Sequence, residues 1–95
     1  MSKKQSLPQS ALELLDFPSP FPLKVFGTKS EVFEVEVFNL VKLRCPEGEK
    51  IETSSRESKN GKYTALTLTF TAYNKQQLED IYQDLYACEH VVMTL

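Results

Sequence analysis

Alternating apolar and polar positions predict several extended segments along this chain. Phe21, Leu23 and Val25 point to one side of the first, Lys24 and Phe26 to the other, and Gly27 ends it. Leu66, Leu68, Phe70 and Ala72 share a face opposite Thr67, Thr69, Thr71 and Tyr73, the clearest strand of all. His90 to Leu95 reads as a short terminal strand with Val91, Met93 and Leu95 on one side. Between these last two the period changes. Asn74 and Gln77 have capping-box spacing, and Leu78, Ile81, Tyr82 and Leu85 then follow the i, i+3, i+4, i+7 rule of an amphipathic helix. Glu79, Asp80, Gln83 and Asp84 form its wet side. Ile51 to Ser58 is polar and serine-rich, a weak strand without a clean apolar face. Asn60-Gly61 after it predicts a hairpin with a type I′ turn, which needs positive φ at both positions.

Residues 31–45 fit two templates. Phe33, Val35, Val37, Val41, Leu43 and Cys45 all fall on odd positions, as in a strand, and valine favours that reading. A helix has Phe33, Val37, Leu40 and Val41 on one face but leaves Val32, Val35, Phe38 and Leu43 off it. Ser30 is a suitable N-cap, Thr28 and Glu31 have capping-box spacing, and Arg44 suits the last turn. On pattern alone the two are nearly balanced. Packing favours the helix, because one helix would hardly cover five strands that each have a single apolar face. The predicted order is then βαββαβ: an α+β, ferredoxin-like split βαβ fold, a four-stranded antiparallel sheet with two helices on one face.

Ahead of this, residues 1–10 are expected to be a disordered polar tail. Residues 11–95 are expected to form one domain, with a helical turn or docked arm at Ala11–Leu15 and a Pro-rich arm at 16–22. Pro18, Pro20 and Pro22 make that arm stiff and extended. Ninety-five residues hold a single core. The longest uncharged stretch, Tyr63 to Asn74, is far short of the ~20 apolar residues that span a bilayer. The basic start is followed by no apolar run, so a cytoplasmic location is expected.

The segment Leu15-Asp16-Phe17-Pro18-Ser19-Pro20-Phe21, followed by Lys24-Val25-Phe26-Gly27, resembles the YbeD-like family of small bacterial proteins. Cys45-Pro46, the glycine-containing hairpin and the terminal Val92-Met93-Thr94-Leu95 agree in order and spacing, over roughly residues 12–95. The resemblance implies a fold similar to ACT-type regulatory domains, and with it a helix at 30–45. It also implies regulation of small-molecule metabolism, lipoate synthesis having been proposed, and it brings no catalytic residues. Gly27-Thr28-Lys29-Ser30 departs from the glycine-dependent turn at which ACT domains commonly bind amino acids.

Chemistry is sparse. Eleven basic against thirteen acidic residues leave a net charge of −2, which counts against nucleic acid. Cys45, Cys88 and the lone His90 are too few for a patterned zinc site, and His90 is read as set apart from both thiols. No disulfide, metal or cofactor is expected. Glu34 with Glu36, and Glu79-Asp80 with Asp84, read as solvated helix flanks rather than acid–base pairs. What remains is the open sheet face. Lys24 among the hydroxyls of Thr67 and Thr69, over Phe26, is the candidate surface for an anionic ligand or a partner, and Phe17 on the arm is a further contact. The expected function is a non-catalytic regulatory or binding protein, with possible partners a second copy of itself, an unidentified protein or a small anion. The alternatives are a single-stranded RNA module on the same face, or a small enzyme using Lys24.

Overall fold

The computed structural model describes residues 16–58 and 60–95. The polar tail expected at 1–10 and the turn or arm at 11–15 lie outside them. The elements are β1 (Ser19–Thr28), α1 (Glu31–Leu43), β2 (Glu52–Glu57), β3 (Tyr63–Ala72), α2 (Lys75–Ala87) and β4 (Val91–Thr94). The strands make one antiparallel sheet in the order β2-β3-β1-β4. This is the ferredoxin-like βαββαβ arrangement.

Residues 31–43 are helical because the cap and the core agree. Ser30 Oγ accepts the Phe33 N–H at 3.1 Å, so Ser30 rather than Thr28 starts the helix. Phe33, Val37 and Val41 are fully buried, each contributing roughly 1.5–3 kcal/mol. Val35 and Leu43, which made a strand plausible, are instead exposed at 58% and 75%, as is Val32 at 53%. In α2 the predicted face holds: Leu78, Ile81, Tyr82 and Leu85 are all buried. Asn74 Oδ1 accepts the Gln77 N–H at 2.8 Å, and Gln77 Oε1 returns to the Tyr73 N–H at 2.7 Å, one residue before the cap. These residues meet Phe21, Leu23 and Val25 of β1 and Leu66, Leu68 and Phe70 of β3 in a single cluster. The Tyr82 hydroxyl is buried without a hydrogen-bond partner among the described residues, and burial pushes its pKa up to about 12.

Three details differ from expectation. First, β1 begins within the prolines and runs on through Gly27, which pairs with Thr64. Its even-numbered residues turn their backbone groups towards β4: Lys24 C=O accepts the Leu95 N–H at 2.9 Å, and Thr28 N–H donates to His90 C=O at 3.1 Å. Yet β4 pairs only with Val25, Phe26 and Gly27. By the same alternation Pro20 and Pro22 stand where the described residues leave that edge uncovered, and they have no N–H to be paired there. Second, the β2–β3 hairpin forms, but not through a type I′ turn. Of Asn60 and Gly61 the glycine alone has positive φ (+68°), and Ser58 C=O accepts the Gly61 N–H at 2.9 Å. The Ser58–Tyr63 pair closes a longer loop than a type I′ turn allows.

Third, β4 does not present Val91, Met93 and Leu95 together. A register shift opposite Phe26 and Gly27 places Val91 and Thr94 inside, and sets Met93 beside Phe26 on the other side of the sheet. One extra residue in a strand reverses every side chain beyond it.

Candidate functional site

Both helices cover the same side of the sheet, so among the described residues its other side is open. Cross-strand register orders the residues on that open side into rows. Lys24, Thr67 and Ser54 form one row across β1, β3 and β2. Phe26, Ala65 and Arg56 form the next, extended by Met93 of β4. Pro22, Thr69 and Glu52 form the row on the other side. Of the residues singled out in the sequence, Lys24, Phe26, Thr67 and Thr69 therefore come together. Phe17 does not join them; its half-buried ring packs against the hydrophobic core.

Charge distinguishes the middle of this face. Lys24 and Arg56 are exposed, and neither makes an ion pair or side-chain hydrogen bond among the described residues. Lys29, by contrast, pairs with Glu57 at 3.1 Å. The Thr67 and Thr69 side chains are half-buried between strands, so their hydroxyls are held on the sheet rather than on a mobile loop. A cation flanked by fixed hydroxyls is suited to an oxyanion, because hydrogen bonds to a charged acceptor are shorter and stronger than neutral ones. Glu52 bounds the site, with Lys50 at 3.9 Å from its carboxylate.

A second polar group lies on the helix side. The helices run antiparallel, so rising numbers on α1 meet falling numbers on α2. Glu36 meets Cys88, Arg44 meets Asp84 and Asp80, and Cys45 meets Gln77. Arg44 donates to Asp84 from two nitrogens, at 2.9 and 3.2 Å, and approaches Asp80 at 3.8 Å. Glu79 lies 4.0 Å from Lys75. The carboxylates of α2, expected to be a solvated flank, thus join ion pairs.

At the other end of the helix pair, Cys88 Sγ donates to Glu36 Oε1 at 3.2 Å, and His90 Nδ1 lies 2.8 Å from the same oxygen. This corrects the expectation that His90 stands apart from both thiols. Cys88 is the C-cap of α2, and Val91 N–H donates to Cys88 C=O at 3.2 Å, a tight turn that brings the imidazole back over the helix end. The hydrogen bonds from His90 and then Cys88 hold the Glu36 carboxyl below its ordinary value. Burial, reinforced by Glu36, pushes the Cys88 thiol up, and burial with Glu49 does the same for Cys45. Both cysteines are thiols rather than disulfide partners. A nucleophilic thiol needs a base beside it and a depressed pKa. Cys88 has the reverse: a carboxylate between it and the imidazole, and a retained proton. Glu36, Cys88, Asn39, Leu40, Asp84 and Glu89 line a groove of about 670 Å³ that adjoins this group. Cys88-x-His90 was visible in the chain, but nothing local marked Glu36 as their partner.

Residues 12–95 match the family described as "Protein of unknown function (DUF493)". A UPF0250 protein of Chromobacterium violaceum is 39% identical over 83 residues, covering 87% of this chain and 93% of that protein. A UPF0250 protein of Nitrosomonas europaea is 33% identical over 82 residues, covering 86% and 92%. The solution structure of protein HP0495 from H. pylori superposes with a TM-score of 0.72 at 17% identity, covering 96% of this chain and 97% of that one, a likeness of fold alone. The chain belongs to the DUF493 family, the YbeD-like UPF0250 proteins of bacteria.

Proposed function

We propose that this chain is a non-catalytic binding module of bacterial metabolism that takes a small carboxylate or phosphate on its open sheet face. The observation that carries the reading is the in-register row Lys24, Thr67 and Ser54, with Arg56 in the neighbouring row and both cations unengaged among the described residues. Phe26 and Met93 supply an apolar floor beside it. No helix of the described chain is long and apolar enough to cross a membrane. The reading accords with the regulatory role, lipoate-related regulation included, that the resemblance to the YbeD-like family implies.

Titration of isotope-labelled protein with phosphate and with short-chain carboxylates at low ionic strength tests it. Shifts confined to β1, β3 and β2 are expected, and Lys24→Ala should weaken binding about tenfold or more, as fits a charge-assisted contact of ~1.5–3 kcal/mol. Shifts scattered over the surface, or unchanged affinity in Lys24→Ala, would remove the reading. Saturable binding of single-stranded RNA in the same buffer would replace it with the RNA alternative, against which the net charge of −2 argues.

The same reading includes a homodimer through β2, in which Arg56 turns to the second copy and Lys24 alone is left for the anion. Ser58 N–H donates inwards to Tyr63, so by alternation Thr53, Ser55 and Glu57 turn their backbone groups outwards. A second copy pairing antiparallel about Ser54 would set Thr53 against Ser55 and Glu52 against Arg56, with every charge on that face opposite its complement. Light scattering should find dimers at high micromolar concentration. Arg56→Glu should return them to monomers, and Glu52→Arg with Arg56→Glu should restore them; monomers alone in the unmodified chain would end the proposal.

A further inference from the structure

We propose that Glu36, Cys88 and His90 form a binding site for a divalent transition-metal ion of the zinc type. One carboxylate oxygen, one sulfur and one imidazole nitrogen lie within 4.8 Å of one another. Around a tetrahedral zinc such donors stand roughly 3.3–3.6 Å apart. The existing contacts of 2.8 Å from His90 and 3.2 Å from Cys88 to Glu36 are therefore close to a ligand shell, and side-chain rotations suffice to open it.

The donors sit on backbone that is already held. Cys88 ends α2, Val91 N–H closes the turn onto its carbonyl at 3.2 Å, and Thr28 N–H holds the His90 carbonyl at 3.1 Å. Glu36 is fixed within α1, one residue from the fully buried Val37. Helix α1 and the hydrogen-bonded turn between α2 and β4 thus bring the three donors to one point, the condition a preformed site requires. Their chemistry selects the ion. Thiolate with imidazole favours zinc and its neighbours over magnesium or calcium, which take oxygen donors alone. Three protein ligands leave a fourth position for water or a further ligand, and Glu36 and Cys88 both line the adjoining groove. Glu89 adds negative character there, while Asp84 is satisfied by Arg44.

Loading balances simply. The Cys88 thiol proton leaves to solvent as the sulfur–metal bond forms. The His90 proton that faces Glu36 transfers to Nε2, so that Nδ1 gives its lone pair to the ion. One proton is released per ion bound when the imidazole starts neutral. This inference goes beyond the open-face reading and does not depend on it, since the two sites lie on opposite sides of the sheet.

The test is titration of the untagged, metal-stripped chain with Co²⁺ as an optical probe, followed by displacement with Zn²⁺. One equivalent should bind with thiolate-to-cobalt charge-transfer absorption, and one equivalent of Zn²⁺ should abolish it. Cys88→Ser should remove that band. His90→Ala and Glu36→Gln should each weaken Zn²⁺ binding by at least ~10-fold, since even outer-shell partners of a metal are worth 10–100-fold. Cys45→Ser should bind as the unmodified chain does, and circular dichroism of every variant should match it. Absence of the band in the unmodified chain, its persistence in Cys88→Ser, or its loss in a folded Cys45→Ser would each overturn the site.

Discussion

Gly27→Ala is expected to lower stability by about 3 kcal/mol, the upper end for overpacking a closed core. A Cβ at this position would run into the Phe33 ring and would stand 2.6 Å from the His90 carbonyl oxygen. Neither obstacle yields cheaply. Phe33 is fully buried, and the His90 carbonyl is fixed by the Thr28 N–H at 3.1 Å. The backbone conformation at Gly27 is ordinary, so the demand for glycine is one of space alone. Urea unfolding measures it. For a domain of this size the melting temperature should fall by roughly 12–24 °C, taking ~4–8 °C per kcal/mol. An unchanged midpoint would show that Phe33 has room to move. The displacement would also press on the turn that carries His90, so Gly27→Ala should weaken the proposed metal site without replacing a ligand.

Phe33→Ala is expected to lose more, about 3–5 kcal/mol, because the ring is fully buried and the space it leaves is walled by strand backbone. Domains of this kind have only ~5–15 kcal/mol in total, so the variant should unfold over a broad range of mild conditions. Phe33→Leu, which keeps most of the volume, should lose much less, and equal losses would mean that the ring is not the feature that matters. Gly27→Ala combined with Phe33→Ala should fall short of the sum of the two. The new methyl group enters the space vacated by the ring, and residues in contact couple by ~0.5–3 kcal/mol. Full additivity would contradict the packing described.

The two sites differ in how far the chain alone revealed them. Lys24, Phe26, Thr67 and Thr69 were legible because a strand repeats every two residues, so same-side membership needs no knowledge of the partner strand. Ser54 and Arg56 were not. Every residue of β2 is exposed, and without an apolar face its sequence does not say which side chains lie beside Lys24. The Glu36–Cys88–His90 group was less legible still. Cys88 and His90 are near neighbours, but Glu36 is 52 residues from Cys88 and joins it only because two antiparallel helices dock with one particular offset.

Local periodicity sufficed for the faces of β1, β3 and α2, because the side-chain repeat of an element belongs to its own backbone. The βαββαβ order followed from asking how many single-faced strands two helices must cover. Where the pattern was double, over residues 31–43, the balance was struck by the core. Burying Phe33, Val37 and Val41 outweighed leaving Val32 and Val35 in water. The bulge in β4, the closing turn after β2 and the helix offset depend on how distant side-chain volumes fill a common space. No stretch of chain holds that information singly, and it is there that the carboxylate, thiol and imidazole meet.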